Sequence, residues 1–279
     1  MYRTDNRGFF SARYCLCQKT GIGWKGPFMR AYDWDVSGGG GTTGENADMA
    51  GTIATRVYDL YGRFYDGFEV LFKKRLAFAL TRMPLRPGDT VLDIGIGTGL
   101  SLEFYPGSAK VVGVDLSEGM LRQARRKVEG GQVRADASAH DTHLLQANAL
   151  DLPFGDESFD AVFVSHVVSV VPDPHQSMRE AFRVARDRAP IVLVNHFRSP
   201  YPVISWLETA VDPICRKLGW RSDLSLRELL EPLGVAQLNN RAAVRGNMFQ
   251  IVFMQKVGAG VRLVAIPPQP VFKPSEATL

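Results

Sequence analysis

The sequence predicts a doubly wound α/β fold whose sheet is mostly parallel and ends in an antiparallel hairpin. Between residues 91 and 197, short runs of β-branched and large apolar residues alternate with helical patterns, which is typical of repeated strand–helix units. Two runs with alternating apolar residues follow, at 235–244 and 248–257, and Arg245-Gly246-Asn247 between them suits a hairpin turn. The first predicted strand ends in closely spaced glycines, which indicates a sharp turn.

Seven strands and four helical segments account for most of the patterned sequence. The strands are predicted at 91–94, 111–115, 143–147, 159–165, 191–197, 235–244 and 248–257. The helical segments are predicted at 52–83, 101–105, 117–127 and 176–185. Ser117 is the expected N-cap of the third helix, with Glu118 in its first turn.

Composition favours one large domain in a reducing compartment. A chain of 279 residues, 45% hydrophobic and 22% charged, is long enough to bury a sizeable core. Three cysteines make neither a zinc quartet nor an even set of disulfides, so we expect a cytoplasmic location. The net charge of +4 and the pI of 9.0 are compatible with an anionic membrane surface or with nucleic acid. No apolar run reaches the roughly 18 residues of a spanning helix, so any membrane contact is expected to be peripheral.

Two segments that lack this patterning flank the domain. Residues 1–48 are rich in arginine and then in glycine, without periodic apolar residues, so we expect a disordered N-terminal extension. Met49 stands just before the patterned sequence and is an alternative start of the protein. The domain is predicted to span 49–258, and the Pro-containing residues 259–279 are expected to form a mobile tail.

The glycine-rich stretch after the first strand predicts a nucleotide site. Gly95, Gly97 and Gly99 permit positive φ and carry no Cβ that would keep a ligand off the backbone. The amides of the following helix point at the same place. Asp115 ends the next strand, 20 positions after Gly95, where a carboxylate accepts hydrogen bonds from ribose hydroxyls.

The glycine spacing and Asp93 favour a cationic ligand over a dinucleotide. The spacing is Gly-x-Gly-x-Gly, and an acid two residues before the first glycine is a poor neighbour for pyrophosphate. The stretch Leu92-Asp-Ile-Gly-Ile-Gly-Thr-Gly99 resembles the first motif of the class I methyltransferases that use S-adenosyl-L-methionine (SAM). The resemblance implies their Rossmann-like seven-stranded fold and SAM as the cofactor. It assigns cofactor binding to Asp93, the three glycines and Asp115.

Three further residues are candidates for cofactor binding, two through this resemblance and one through its place in the sheet. Asn148 stands where many small-molecule methyltransferases have an acid that binds the adenine amino group, and its side-chain carbonyl can accept the same hydrogen bond. Ser165 ends the fourth strand, at the edge of the sheet where ligands bind. Tyr65 belongs to a Tyr-Asp pair in the first helix, which in many of these enzymes covers the cofactor.

Two histidines are expected at the same edge of the sheet. His166 follows Ser165, and His196 ends the fifth strand beside Asn195. Either imidazole could accept a proton from a substrate, and a purely structural role for His166 is equally open. The residues after Ser165 do not form the Asn- or Asp-Pro-Pro-aromatic motif of enzymes that methylate DNA bases or protein glutamines, which argues against those substrates.

The segments 111–118, 170–174, 193–196 and 218–221 narrow the resemblance to the soluble bacterial phospholipid N-methyltransferases, which convert phosphatidylethanolamine towards phosphatidylcholine. The similarity covers roughly residues 55–257. The amine must lose a proton before it is methylated, so His196 and His166 are the candidate catalytic residues. The candidate substrate-binding residues are Tyr61 and Trp220 for a methylated ammonium, Arg221 for the lipid phosphate, and Asn195 beside His196.

Two other functions stay open at this point. A methyltransferase for another apolar molecule, such as a quinone precursor, shares the first motifs. A SAM-binding protein without catalysis is less favoured, because the glycines and Asp115 are intact. We expect a phospholipid substrate at an anionic membrane surface, and neither nucleic acid, nor a metal, nor an obligate protein partner.

Overall fold

A computed structural model describes residues 69–131, 142–199, 206, 212, 221, 223–235, 243–245, 249–268 and 271. The predicted extension 1–48 and the first part of the predicted helix at 52–83 lie outside these residues. Within the described ranges, no helix has the length and apolar character needed to cross a membrane.

Helices and strands alternate along the first half of the described chain, as the sequence predicts, and strands follow one another directly in two later places. The helices are α1 (Glu69–Thr81), α2 (Glu118–Glu129), α3 (Pro174–Val184) and α4 (Leu226–Leu230), with 3-10 helices at Leu100–Phe104 and Glu231–Leu233. The strands are β1 (Thr90–Ile94), β2 (Lys110–Asp115), β3 (Thr142–Gln146), β4 (Ala161–Ser165), β5 (Pro190–His196), β6 (Ala243–Arg245), β7 (Phe249–Val257) and β8 (Gly260–Leu263).

The strands form one mixed sheet in the order β3-β2-β1-β4-β5-β7-β6. Strands β1 to β5 are parallel, and β7 runs antiparallel to β5, β6 and β8. This confirms the predicted Rossmann-like fold with its antiparallel hairpin. The extra strand β8 pairs with the second half of β7, so the prediction of a mobile tail from residue 259 is wrong for 260–263. Backbone pairing and the burial of Val261 hold that segment to the sheet.

Side chains of the central strands alternate between two cores, one on each face of the sheet. On β1, Leu92 and Ile94 belong to the core that α3 and α4 cover. Val91 belongs to the core that α1 and α2 cover. Because strand side chains alternate, Asp93 lies on the same face as Val91, towards α1.

The segment predicted as a helix at 101–105 is a short 3-10 helix. Gly99 is its N-cap, and Leu102 and Phe104 are buried against α1 and the sheet. Tyr105 is extended because it precedes Pro106, a position that disfavours helical backbone. The helix therefore ends after little more than one turn.

Polar caps define where α2 and α3 begin. The Ser117 hydroxyl accepts a hydrogen bond from the Met120 amide at 3.2 Å, which confirms the predicted N-cap. Asp173 accepts one from the Gln176 amide at 2.9 Å, and Pro174 fills the first position of α3. This helix therefore starts two residues before the predicted 176–185.

Candidate cofactor and active site

The glycine turn lies at the carboxyl end of β1, between β2 and β4. Gly95 has φ of 79°, and its amide donates to the Val114 carbonyl at 2.8 Å. A Cβ at this position would stand 2.2 Å from Val167 Cγ2 and 2.7 Å from the Ser165 carbonyl oxygen. Packing of the chain after β4 therefore requires glycine here, independently of any ligand.

Gly97 differs because its missing side chain would point into open space. It has φ of 54°, and among the described residues beyond its chain neighbours, the nearest atom to a Cβ there would be the Gly95 carbonyl oxygen at 4.0 Å. A Cβ at Gly99, by contrast, would stand 3.1 Å from Ala124 on α2. Of the three glycines, Gly97 is thus the one whose lack of a side chain leaves room for a ligand.

Asp115 fixes the turn and lies beside this open space. Its carboxylate accepts hydrogen bonds from the amides of Gly97, at 2.9 Å, and Ser117, at 2.8 Å. Burial raises the pKa of Asp115, and the hydrogen bonds from these amides oppose the shift. Leu116 directly after it is 58% exposed, an apolar surface beside the carboxylate that suits a flat base. Sequence reasoning missed Leu116, whose exposure follows only from the fold.

Asp93 is fully buried behind the glycine turn. Its Oδ2 accepts hydrogen bonds from Ser101 Oγ at 2.5 Å and from Tyr105 Oη at 3.0 Å. Burial raises the pKa of Asp93 to about 7, against the effect of these two bonds, and nearby Asp115 raises it further. A cation close to Asp93 would stabilise its charged form. Sequence reasoning missed Ser101 and Tyr105 as partners of this carboxyl.

Asn148 lies near Asp115, because the Ala147 amide donates to the Asp115 carbonyl at 3.0 Å. The Asn148 side chain is exposed, and its Oδ1 accepts a hydrogen bond from the Leu150 amide at 3.0 Å. A carbonyl oxygen has two lone pairs, so one remains for a donor such as an adenine amino group.

His166 lies at the carboxyl end of β4, directly after the buried Ser165. Its backbone has φ of 56°, unusual for a residue other than glycine, and its amide donates to the Val194 carbonyl at 2.8 Å. Its ring meets the Phe72 ring of α1 edge to face, with 4.9 Å between the centroids. Burial lowers the pKa of His166 to about 4, and the charges of Arg75 and His196 add to this effect. His166 is therefore neutral near pH 7.

Asn195 and His196 are both buried at the end of β5. The Asn195 amide nitrogen donates to the His196 carbonyl at 2.6 Å, and its oxygen accepts from Ser169 Oγ at 3.3 Å. Asn195 therefore holds the segment after β4, through contacts within the fold. His196 lies close enough to His166 for their charges to interact.

Arg221 is brought to the same segment, since its amide donates to the Ser169 carbonyl at 2.7 Å. Its half-buried guanidinium forms an ion pair with Asp223 at 3.3 Å. The predicted residues Tyr61, Tyr65 and Trp220 lie outside the described residues.

The arrangement fits SAM. Gly97 leaves space, Asp115 offers a carboxylate, and Asp93 offers a buried acid to a cation. Within the described ranges, His, Cys, Asp and Glu side chains nowhere gather in threes as metal ligands.

Known proteins resemble this chain over the same region. Residues 92–193 match a family described as a methyltransferase domain. The chain is 34% identical over 169 residues to a phosphatidylethanolamine N-methyltransferase of Cereibacter sphaeroides, which covers 61% of this chain and 81% of that protein. It is 32% identical over 182 residues to a demethylmenaquinone methyltransferase of Thermobifida fusca (strain YX), which covers 64% of this chain and 69% of that protein.

A solved structure shares the fold. A putative methyltransferase from Bacillus halodurans C-125 superposes with a TM-score of 0.52 at 18% identity, over 65% of this chain and 98% of that chain. With the glycine turn, its two acids and these relatives together, the chain belongs to the class I SAM-dependent methyltransferases.

Proposed function

We propose that the protein transfers methyl groups from SAM to the amino head group of phosphatidylethanolamine and of its methylated products. The observation that carries the proposal is the pair of histidines, His166 and His196, at the ends of adjacent strands β4 and β5 next to the glycine turn. The 34% identity to a phosphatidylethanolamine N-methyltransferase supports the same substrate.

The histidines can accept the proton that the substrate amine must lose in this reaction. SAM supplies an electrophilic methyl group, which a neutral amine can accept and an ammonium cannot. The primary amine and each partly methylated product must therefore lose a proton before the next transfer. The low pKa of His166 makes it a weak proton acceptor. We therefore assign the role of proton acceptor to His196, and we assign to His166 the role of an uncharged side chain that lines the site.

Positive side chains near the histidines suit the phosphate of a phospholipid. Arg75 on α1 lies close enough to His166 to influence its charge, and Arg221 is tied to the segment after β4. Lys74 is exposed on α1, and Trp206 is 69% exposed. Together with the net charge of +4, these residues support peripheral contact with an anionic lipid surface.

A labelling experiment tests the substrate. The full chain is incubated with methyl-labelled SAM and liposomes of phosphatidylethanolamine, with and without an anionic lipid, and the lipids are then separated. We expect labelled mono-, di- or trimethylated lipid, formed faster on the anionic liposomes. Bound SAM without any labelled lipid would refute the proposal.

The second candidate is methylation of a quinone precursor. The 32% identity to a demethylmenaquinone methyltransferase favours it. The same labelled SAM offered with a demethylated quinone would distinguish the two, since the label would then appear in the quinone and be absent from the lipid.

A further inference from the structure

The carboxyl of Asp93 has one oxygen bound twice and another without a partner. Both Ser101 and Tyr105 donate to Oδ2, whereas Oδ1 has no hydrogen-bond partner within the described part of the chain. Asp93 is 0% exposed, so bulk water does not reach this oxygen. A buried acceptor without a donor is costly, which indicates that Oδ1 serves a ligand.

The two donors are held rigidly by the element that the glycine turn begins. Ser101 belongs to the 3-10 helix capped by Gly99, and Tyr105 follows that helix directly. The Tyr105 ring is buried and meets Phe163 of β4 edge to face, with 6.5 Å between the ring centroids. Its hydroxyl is thereby held at the carboxylate of Asp93, to which it donates at 3.0 Å.

The charged groups on neighbouring elements influence the ionisation of Asp93, which a bound cation would favour. Asp115 of β2 raises its pKa, and the hydrogen bonds from Ser101 and Tyr105 lower it. On α1 and the 3-10 helix, Lys73 and Glu103 neutralise each other at 2.9 Å. Among the described residues at the carboxyl end of β4 and β5, Arg75, His166 and His196 are close enough for their charges to interact.

We propose that Ser101 and Tyr105 are positioning residues for SAM: by binding Oδ2, they turn Oδ1 of Asp93 towards the cationic methionine end of the cofactor. When Asp93 is protonated, its O–H bond breaks as the cation binds and the proton passes to the buffer. The inference rests on SAM binding and is independent of the lipid substrate.

Calorimetry of SAM binding to the full chain, between pH 6 and 8.5 in two buffers of different ionisation enthalpy, counts the protons released. With a pKa of about 7, Asp93 should release roughly 0.9 proton per SAM at pH 6 and roughly 0.1 at pH 8. Asp93→Asn should abolish this release. Any proton that SAM itself releases is the same for both proteins, so the difference between the wild type and Asp93→Asn counts only the proton from Asp93.

Tyr105→Phe deletes one donor and keeps the ring. We expect SAM affinity at pH 7 to fall about tenfold and the midpoint of proton release to move to higher pH, because the lost bond favoured the ionised carboxyl. Ser101→Ala should act in the same direction. The matched control is Ser158→Ala, which removes a buried hydroxyl bound to the Gly155 carbonyl at 2.7 Å near the opposite edge of the sheet.

Thermal unfolding of each variant without SAM identifies loss of folding, and Ser101→Ala keeps the test decisive if Tyr105→Phe is unstable. A merely structural role would weaken binding equally at every pH. An unchanged pH profile in both hydroxyl variants would overturn the proposal, as would wild-type proton release in Asp93→Asn. Lipid methylation is not measured, so failure of the proposed function would leave this result unaffected.

Discussion

The substitution Gly97→Val should block the cofactor site while the protein stays folded. The position has φ of 54°, which costs a residue with a Cβ about 1–2 kcal/mol. Among the described residues, no atom beyond its chain neighbours lies closer than 4.0 Å to the added Cβ, so none of them adds a clash to this cost. A domain with typical stability of roughly 5–15 kcal/mol would remain folded. The branched side chain would, however, fill the space that the ligand needs.

We expect SAM binding to Gly97→Val to weaken at least about 100-fold, or about 2.7 kcal/mol, in calorimetry. Gly88→Val is the matched control: Gly88 also has positive φ, at 88°, and no described residue within 4 Å of its Cβ position, but it lies before β1, at the opposite edge of the sheet. It should lose similar stability and bind SAM normally. Wild-type affinity in Gly97→Val would refute the assignment of the open space to the cofactor.

Gly95→Ala should behave differently from both variants. Its Cβ would meet the Ser165 carbonyl oxygen at 2.7 Å as well as the Val167 side chain, so the segment after β4 would have to move. We therefore expect loss of folding, visible as a lost unfolding transition in circular dichroism, whether or not SAM is present.

Three further predictions concern activity, pH and stability. His196→Ala should lose lipid methylation and retain SAM affinity, and His143→Ala on the outer parallel strand is the control. Full activity of His196→Ala would mean that His166 or solvent accepts the substrate proton. Because the folded pKa of Asp93 is raised to about 7, the folded protein without SAM keeps a proton that the unfolded chain loses. Its stability should therefore fall between about pH 4 and pH 7, by up to about 4 kcal/mol, and Asp93→Asn should remove that part in urea unfolding at several pH values. Glu180→Ala should cost about 3 kcal/mol in the same assay, because its buried carboxylate binds Arg183 at 2.7 Å; a loss below about 1 kcal/mol would contradict this reasoning.

The parts of the fold that could be predicted have local signals. The apolar run of β1 stops at glycine, β2 stops at Asp115, and Ser117 marks the start of α2. Strand β8 has no such signal, since Gly260–Leu263 is only four residues long and becomes a strand by pairing with β7. The 3-10 helix was misjudged because Pro106 limits the segment before it.

The site was predictable where spacing along the chain decides position. Gly97 and Asp115 meet because adjacent parallel strands end at the same edge. The bonds from Ser101 and Tyr105 to Asp93 depend on how the 3-10 helix lies against β1, which no periodicity reveals. The positive φ of His166 likewise follows from a backbone bond to β5.

The two short strands beside β7 also have a consequence for behaviour at high concentration. β6 pairs with Gln250–Val252 and β8 with Met254–Val257, both on the side of β7 away from β5. An open strand of that length would offer its amides and carbonyls to a strand of another molecule. Here that edge of β7 is covered by two short strands, β6 of three residues and β8 of four, and β8 carries the charged residue Arg262. The two short strands thus leave no long unpaired strand at this edge of the described sheet for edge-to-edge pairing with another molecule.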